Sequence, residues 1–157
     1  LAYNGTADFF VIVFFGGFAV WGTVYALTLN PNIFPFYLGL QLGCLCNILL
    51  VVNNLRDQMQ DVQNHKKTLI VRFGRGFGIG YYLTLILVGF FGLFLWPSEY
   101  FSYKFLLVSF PWFIFSLYFW NWVRKNKPSI IYNKILKFSS LTYFGFCLSL
   151  CIGFLVF

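Results

Sequence analysis

Apolar and polar positions along this chain come in long blocks. Five apolar blocks stand out, at about 9–29, 33–52, 77–96, 101–123 and 139–157. Each is close to the roughly 20 residues that a helix needs to cross the hydrocarbon of a bilayer. The breaks between them are polar or carry turn formers. Asn30-Pro31-Asn32 divides the first two, Pro97-Ser98 the third and fourth, and a polar segment from Asn53 to Arg75 separates the second from the third. Before the fifth block runs a basic linker, Arg124-Lys125-Asn126-Lys127-Pro128, and then an amphipathic stretch at 129–137. The pattern predicts an all-α fold: a polytopic membrane helical bundle of about five transmembrane helices.

Composition supports that reading. Of 157 residues, 60% are hydrophobic and only 10% charged, whereas a soluble domain carries about 25% charged residues. So few charges cannot cover a water-facing surface. The net charge of +7 suggests nucleic acid in other contexts, but here the charges sit in the gaps between apolar blocks, and no nucleic-acid partner is expected. Arg56, Lys66, Lys67, Arg72 and Arg75 fall in one gap and Arg124, Lys125, Lys127, Lys134 and Lys137 in another. Alternating spans put both gaps on one face, cytoplasmic by the positive-inside rule. Residues 1–8 then share that face and the C-terminus lies opposite. The spans carry almost no ionisable residues, which argues against an ion-coupled transporter. Cys44, Cys46, Cys147 and Cys151 lie in apolar blocks and read as small packing residues. Gly39 and Gly43 form a GxxxG pair suited to close helix contact. Gly74 to Gly80 lacks the strand and lysine of a phosphate loop. The chain starts at Leu1 with no basic leader, and is expected to be a piece of a longer protein.

The chemistry concentrates in 53–75. Asp57 and Asp61 are four apart and share a helical face, with Asn54 one turn before and Asn47 extending the polar stripe into the second span. Two carboxylates so placed call for a cation between them. They either pair with Arg56, Lys66 and Arg72 or hold a divalent ion. Mg²⁺ is commonly held by one or two carboxylates together with substrate phosphates, and Lys66, Lys67 and Arg72 then face a diphosphate from the other side. On spacing alone a salt-bridged loop ranks ahead of a metal site. His65 reads as a polar loop residue.

The longer string shifts the balance. Asn53-Asn54-Leu55-Arg56-Asp57-x-x-x-Asp61-x-x-x-x-Lys66-x-Thr68-Leu69-x-Val71-Arg72-x-Gly74 resembles the second aspartate motif of the UbiA superfamily of membrane prenyltransferases. It looks most like the MenA branch, whose members are 1,4-dihydroxy-2-naphthoate polyprenyltransferases. Residues 14–23, with Gly16 and Gly17, resemble the span that precedes the motif in the family, and Asn133 with its apolar tail resembles the family's last helix. The resemblance covers 1–157 as a partial domain, the C-terminal half of a nine-helix UbiA-type fold.

It implies transfer of a polyprenyl group from polyprenyl diphosphate to 1,4-dihydroxy-2-naphthoate with decarboxylation, giving demethylmenaquinol in menaquinone biosynthesis, with Mg²⁺ as cofactor. It implies Asp57 and Asp61 as the catalytic, metal-holding carboxylates; Arg56, Lys66 and Arg72 as basic positions for the diphosphate; and Asn53 and Asn54 as residues that orient the loop or line the cavity. The setting implied is a bacterial inner membrane or a plastid membrane, with the 53–75 loop cytoplasmic or stromal. Two features depart from the family. Gln58, Met59 and Gln60 replace more acidic residues between the aspartates, and His65 stands where a glycine is usual. The first aspartate-rich motif belongs to the missing N-terminal half, so the chain alone is expected to be inactive. Two other readings stand beside this one: another aromatic acceptor such as 4-hydroxybenzoate or homogentisate, and a non-enzymatic membrane half-protein or scaffold. The aromatic cluster from Trp112 to Trp122 reads as lipid-facing or interfacial, and anionic lipid is the expected contact of 129–137.

Overall fold

A computed structural model of the chain describes residues 5–156. The expected placement of residues 1–4 and the end of the last span at Phe157 lie outside the described residues. Five helices are long and apolar enough to cross a membrane: α1 (Ala7–Thr28), α2 (Phe34–Gln63), α3 (Leu69–Leu95), α4 (Tyr103–Lys125) and α5 (Ile131–Val156). Among the described residues there is no strand. The protein is an integral, multi-pass helical bundle.

α2 is the hub. It packs against α1, α3 and α5, while α4 packs against α3 and α5. Helices α2 to α5 therefore close a ring, and α1 lies outside it on α2. The ring's interior is filled by Leu45, Tyr82, Phe90, Phe119 and Phe146, all buried. Phe9, Phe15 and Leu27 on α1 stay exposed, as suits a lipid-facing helix.

The α1–α2 contact follows from glycine. Val11–Phe18 winds as a π-helix, and its buried Gly16 and Gly17 meet Gly39 and Gly43 of α2 backbone to backbone. The GxxxG pair thus serves as packing, as its spacing suggests. α1 ends at Leu29 in a left-handed conformation, φ 52°. The Asn32 side chain then accepts from the Phe34 amide at 2.8 Å and starts α2.

The helix limits differ from the sequence reading in three places. The segment expected to be a loop from Asn53 is helical to Gln63, and only 64–68 connect α2 to α3. Polar side chains end the lipid-crossing part of a helix without ending the helix, and no glycine or proline breaks 53–63. Thirty residues of α2 rise about 45 Å against a hydrocarbon core of about 30 Å, so the motif rides on turns that leave the lipid. α3 starts at Leu69, eight residues before the apolar block. Thr68 caps it by accepting from the Val71 amide at 3.2 Å, and Gly74 kinks it at φ 83°, ψ 172°. Finally, 131–137 is the first part of α5 and not a separate interfacial piece.

Polar ties cross the bundle where backbone groups are left open. Gln41 donates to the Gly89 carbonyl at 2.6 Å and accepts from the Trp96 indole at 2.9 Å. Arg75 donates to the carbonyls of Val123 at 2.8 Å and Asn126 at 2.6 Å, satisfying acceptors that the end of α4 leaves unpaired.

Candidate active site

The last three turns of α2 carry two charge clusters. Arg56 sits at the centre of the first. Its Nε and Nη2 form a fork on Asp57, each 2.7 Å from a carboxylate oxygen. Nη2 also donates to Asn53 Oδ1 at 2.7 Å, and Nη1 reaches Asn133 Oδ1 on α5 at 2.7 Å. A guanidinium has five donors in a rigid fork, and four of the bonds it makes here are fixed by these three partners. In the second cluster Lys66, from the α2–α3 connection, donates to Asp61 Oδ1 at 2.8 Å. The Asp61 side chain is only 4% exposed, against 26% for Asp57. Gln58 donates to the Ile70 carbonyl at 3.2 Å, which holds the end of α2 to the first turn of α3. Arg72 sits on that turn with its Nε on the Lys67 carbonyl at 3.1 Å. Asn54 is buried.

Ion pairing is therefore what the two carboxylates do in this structure. Among the described residues no group of three His, Cys, Asp or Glu side chains assembles. Two carboxylates one helical turn apart fit a hard divalent ion as part of a ligand set, the balance coming from phosphate oxygens and water. Pairing with Arg56 and Lys66 fixes where the two carboxylates sit.

Beside the first cluster runs an open groove of about 650 Å³ between α2 and α5. Asn53 and Asn133 line one end, next to Arg56. Leu49, Leu50, Cys46 and Leu136 line its walls, with Val11 of α1 at the far side. Lys137 and Ser140 of α5 also line it, so its α5 wall is largely polar and its α2 wall beyond Asn53 apolar.

Two residues hold places that the sequence did not indicate. Asn133 is the α5 partner of Arg56, a contact between positions 77 apart that no local spacing reveals. Asp8, expected in a loop ahead of the first span, is buried in the first turn of α1, where the helix N-terminus favours a carboxylate. Asn47, from the predicted polar stripe, donates to Asp8 at 3.2 Å and to the Tyr81 hydroxyl at 2.8 Å. That stripe thus leads to α1 and α3, while the Arg56 cluster faces α5.

The UbiA prenyltransferase family model matches residues 1–155, and the chain belongs to that family. Curated relatives point to one branch of it. A 1,4-dihydroxy-2-naphthoate octaprenyltransferase of Mycobacterium leprae is 44% identical over 72 residues, 46% of this chain and 24% of the relative. Enzymes of the same name from Haemophilus influenzae and Escherichia coli are 38% and 40% identical over 86 and 88 residues. These matches cover 55% and 54% of this chain and 28% of each relative. The chain spans about a quarter of the length of the curated relatives it matches. No solved structure matches it significantly.

Proposed function

We propose that this chain is the C-terminal half of a 1,4-dihydroxy-2-naphthoate polyprenyltransferase, with residues 1–157 as a partial prenyltransferase domain. The observation that carries the reading is the Arg56–Asp57 and Asp61–Lys66 array at the end of α2, beside a groove whose α2 wall is apolar beyond Asn53. The names of the curated relatives supply the substrates.

In this reading polyprenyl diphosphate lays its head against the end of α2 and its tail among the apolar walls. Asp57 and Asp61 would hold Mg²⁺ together with the diphosphate oxygens; when bound, that ion offsets the charge of the departing diphosphate. Arg56 orients Asp57, and Asn53 orients Arg56. Lys66 and Arg72 take the diphosphate from the side of the α2–α3 connection, with Lys66 leaving Asp61 when the substrate arrives. Asn54 supports the same stretch of helix from its buried side. Apolar walls keep water from the allylic cation while the electron-rich naphthoate ring attacks it. The ring then loses its carboxylate as carbon dioxide, and demethylmenaquinol leaves into the lipid. The motif lies on the cytoplasmic or stromal side of a bacterial inner membrane or plastid membrane, and an N-terminal half with its own aspartate motif supplies the opposite wall.

The test is an acceptor panel. Membranes holding the chain together with helices that precede it in the family receive polyprenyl diphosphate, Mg²⁺ and one of 1,4-dihydroxy-2-naphthoate, 4-hydroxybenzoate or homogentisate. Prenylated product from the naphthoate alone is the expected result. Product from one of the other acceptors only would move the chain to another branch, and no product from any would favour a non-enzymatic role.

A further inference from the structure

Among the residues that line the α2–α5 groove, Lys137 alone is charged. Asp57 is matched by Arg56 and Asp61 by Lys66, so each pair is neutral as a unit. An arriving diphosphate carries several negative charges, and a cation on the α5 side of the groove would add to Mg²⁺, Lys66 and Arg72 in offsetting them. Lys137 lines the α2–α5 groove with Asn53 and Asn133. It lies one helical turn from Asn133, so the two side chains share a face of α5. Among the described residues no carboxylate forms a salt bridge with Lys137. A lysine can lay its stem along apolar walls and send its ammonium back to the polar end. Here Leu136, Leu49 and Leu50 line the same groove, and the polar end is the Asn53–Asn133 edge.

We propose that Lys137 is a donor-binding residue, whose ammonium meets the diphosphate of an isoprenoid lying in the α2–α5 groove. The inference rests on the prenyl-donor reading above and adds to it a contact from the last helix, opposite the aspartate motif. Such a contact explains the shape of the site. The head is held between α2 and α5 at the Arg56–Asn133 bridge, and the tail runs inward over Leu50, Leu49 and Cys46 toward Val11. It also changes the expected partner of the 129–137 stretch, from anionic lipid along its whole length to substrate at Lys137. Lys134 and Lys137 are both exposed on α5, but only Lys137 lines the groove.

The experiment measures binding of radiolabelled farnesyl diphosphate, and of farnesol, with Mg²⁺ present, to the chain joined to its preceding helices in nanodiscs of zwitterionic lipid with and without phosphatidylglycerol. Lys137→Gln should weaken farnesyl diphosphate binding about tenfold or more, the loss of one charge-assisted hydrogen bond, and leave farnesol binding unchanged. Lys137→Arg should restore most of the affinity, and Lys134→Gln should change it by about twofold at most, as for an exposed charge. Equal effects of Lys137→Gln and Lys134→Gln would overturn the inference. So would a Lys137 effect that disappears when phosphatidylglycerol is present, since the lysine would then serve anionic lipid. If the unaltered chain binds farnesyl diphosphate no better than farnesol, the donor reading itself fails. If it binds the diphosphate well and Lys137→Gln changes nothing, only the role of Lys137 fails.

Discussion

Arg56 holds the first cluster together because its fork satisfies both oxygens of Asp57 and still has donors for Asn53 and Asn133. Lysine keeps the charge but has no fork. Arg56→Lys should therefore lower prenyl transfer about 10- to 100-fold, the usual cost of losing a partner that orients a metal ligand. Asn133→Ala, which removes one of four bonds, should cost less; steady-state rates of the two variants rank them. Asn47 poses a different problem. Its amide supplies the donor to buried Asp8, while its own Oδ1 is buried without a partner. Asn47→Leu leaves the Asp8 carboxyl without that donor and should destabilise the bundle by about 1–3 kcal/mol, read as a lower melting temperature in detergent. The carboxylates were legible in the sequence because their four-residue spacing is local. The Arg56–Asn133 bridge and the burial of Asp8 were not, because both depend on which helices become neighbours.

The helices themselves were legible as blocks, and their number and order follow from apolar length alone. Their ends were not, because charge stops a helix from crossing lipid without stopping the helix. Residues 53–63 illustrate this: four of their side chains are ionic or bonded to ions, and the backbone stays helical. Glycines mark where backbone geometry decides. Gly74, at φ 83° and ψ 172°, sits in a region that is almost confined to glycine, although a Cβ there would meet nothing. Gly74→Ala should cost about 1–3 kcal/mol through backbone strain alone. Gly76 is helical and equally open, so Gly76→Ala should be neutral or stabilising by up to about 1 kcal/mol. Thermal unfolding of the two variants makes the comparison. At Gly39 and Gly43 space decides instead, because a Cβ would strike the α1 backbone. Gly43→Val should separate α1 from the ring, seen as faster proteolysis within α1 while α2 to α5 stay protected.

At the scale of the whole molecule, five helices place the α2–α3 and α4–α5 connections on one side of the bilayer and the α1–α2 and α3–α4 connections on the other. Both basic gaps belong to the first pair. A cysteine replacing Lys67 or Lys127 should be labelled by an impermeant maleimide only after the cells are opened, and one replacing Ser98 before. The same arrangement leaves the groove between α2 and α5 open on one side. Asp57 and Asp61, at the end of α2, are the residues on which the proposed transfer depends. The most direct measurement is transfer of a labelled polyprenyl group to 1,4-dihydroxy-2-naphthoate, with Mg²⁺, by the unaltered protein joined to its preceding helices and by its Asp57→Asn and Asp61→Asn variants. Transfer by the unaltered protein, lost in both variants while each remains folded, is the predicted result; full transfer in both variants would contradict it.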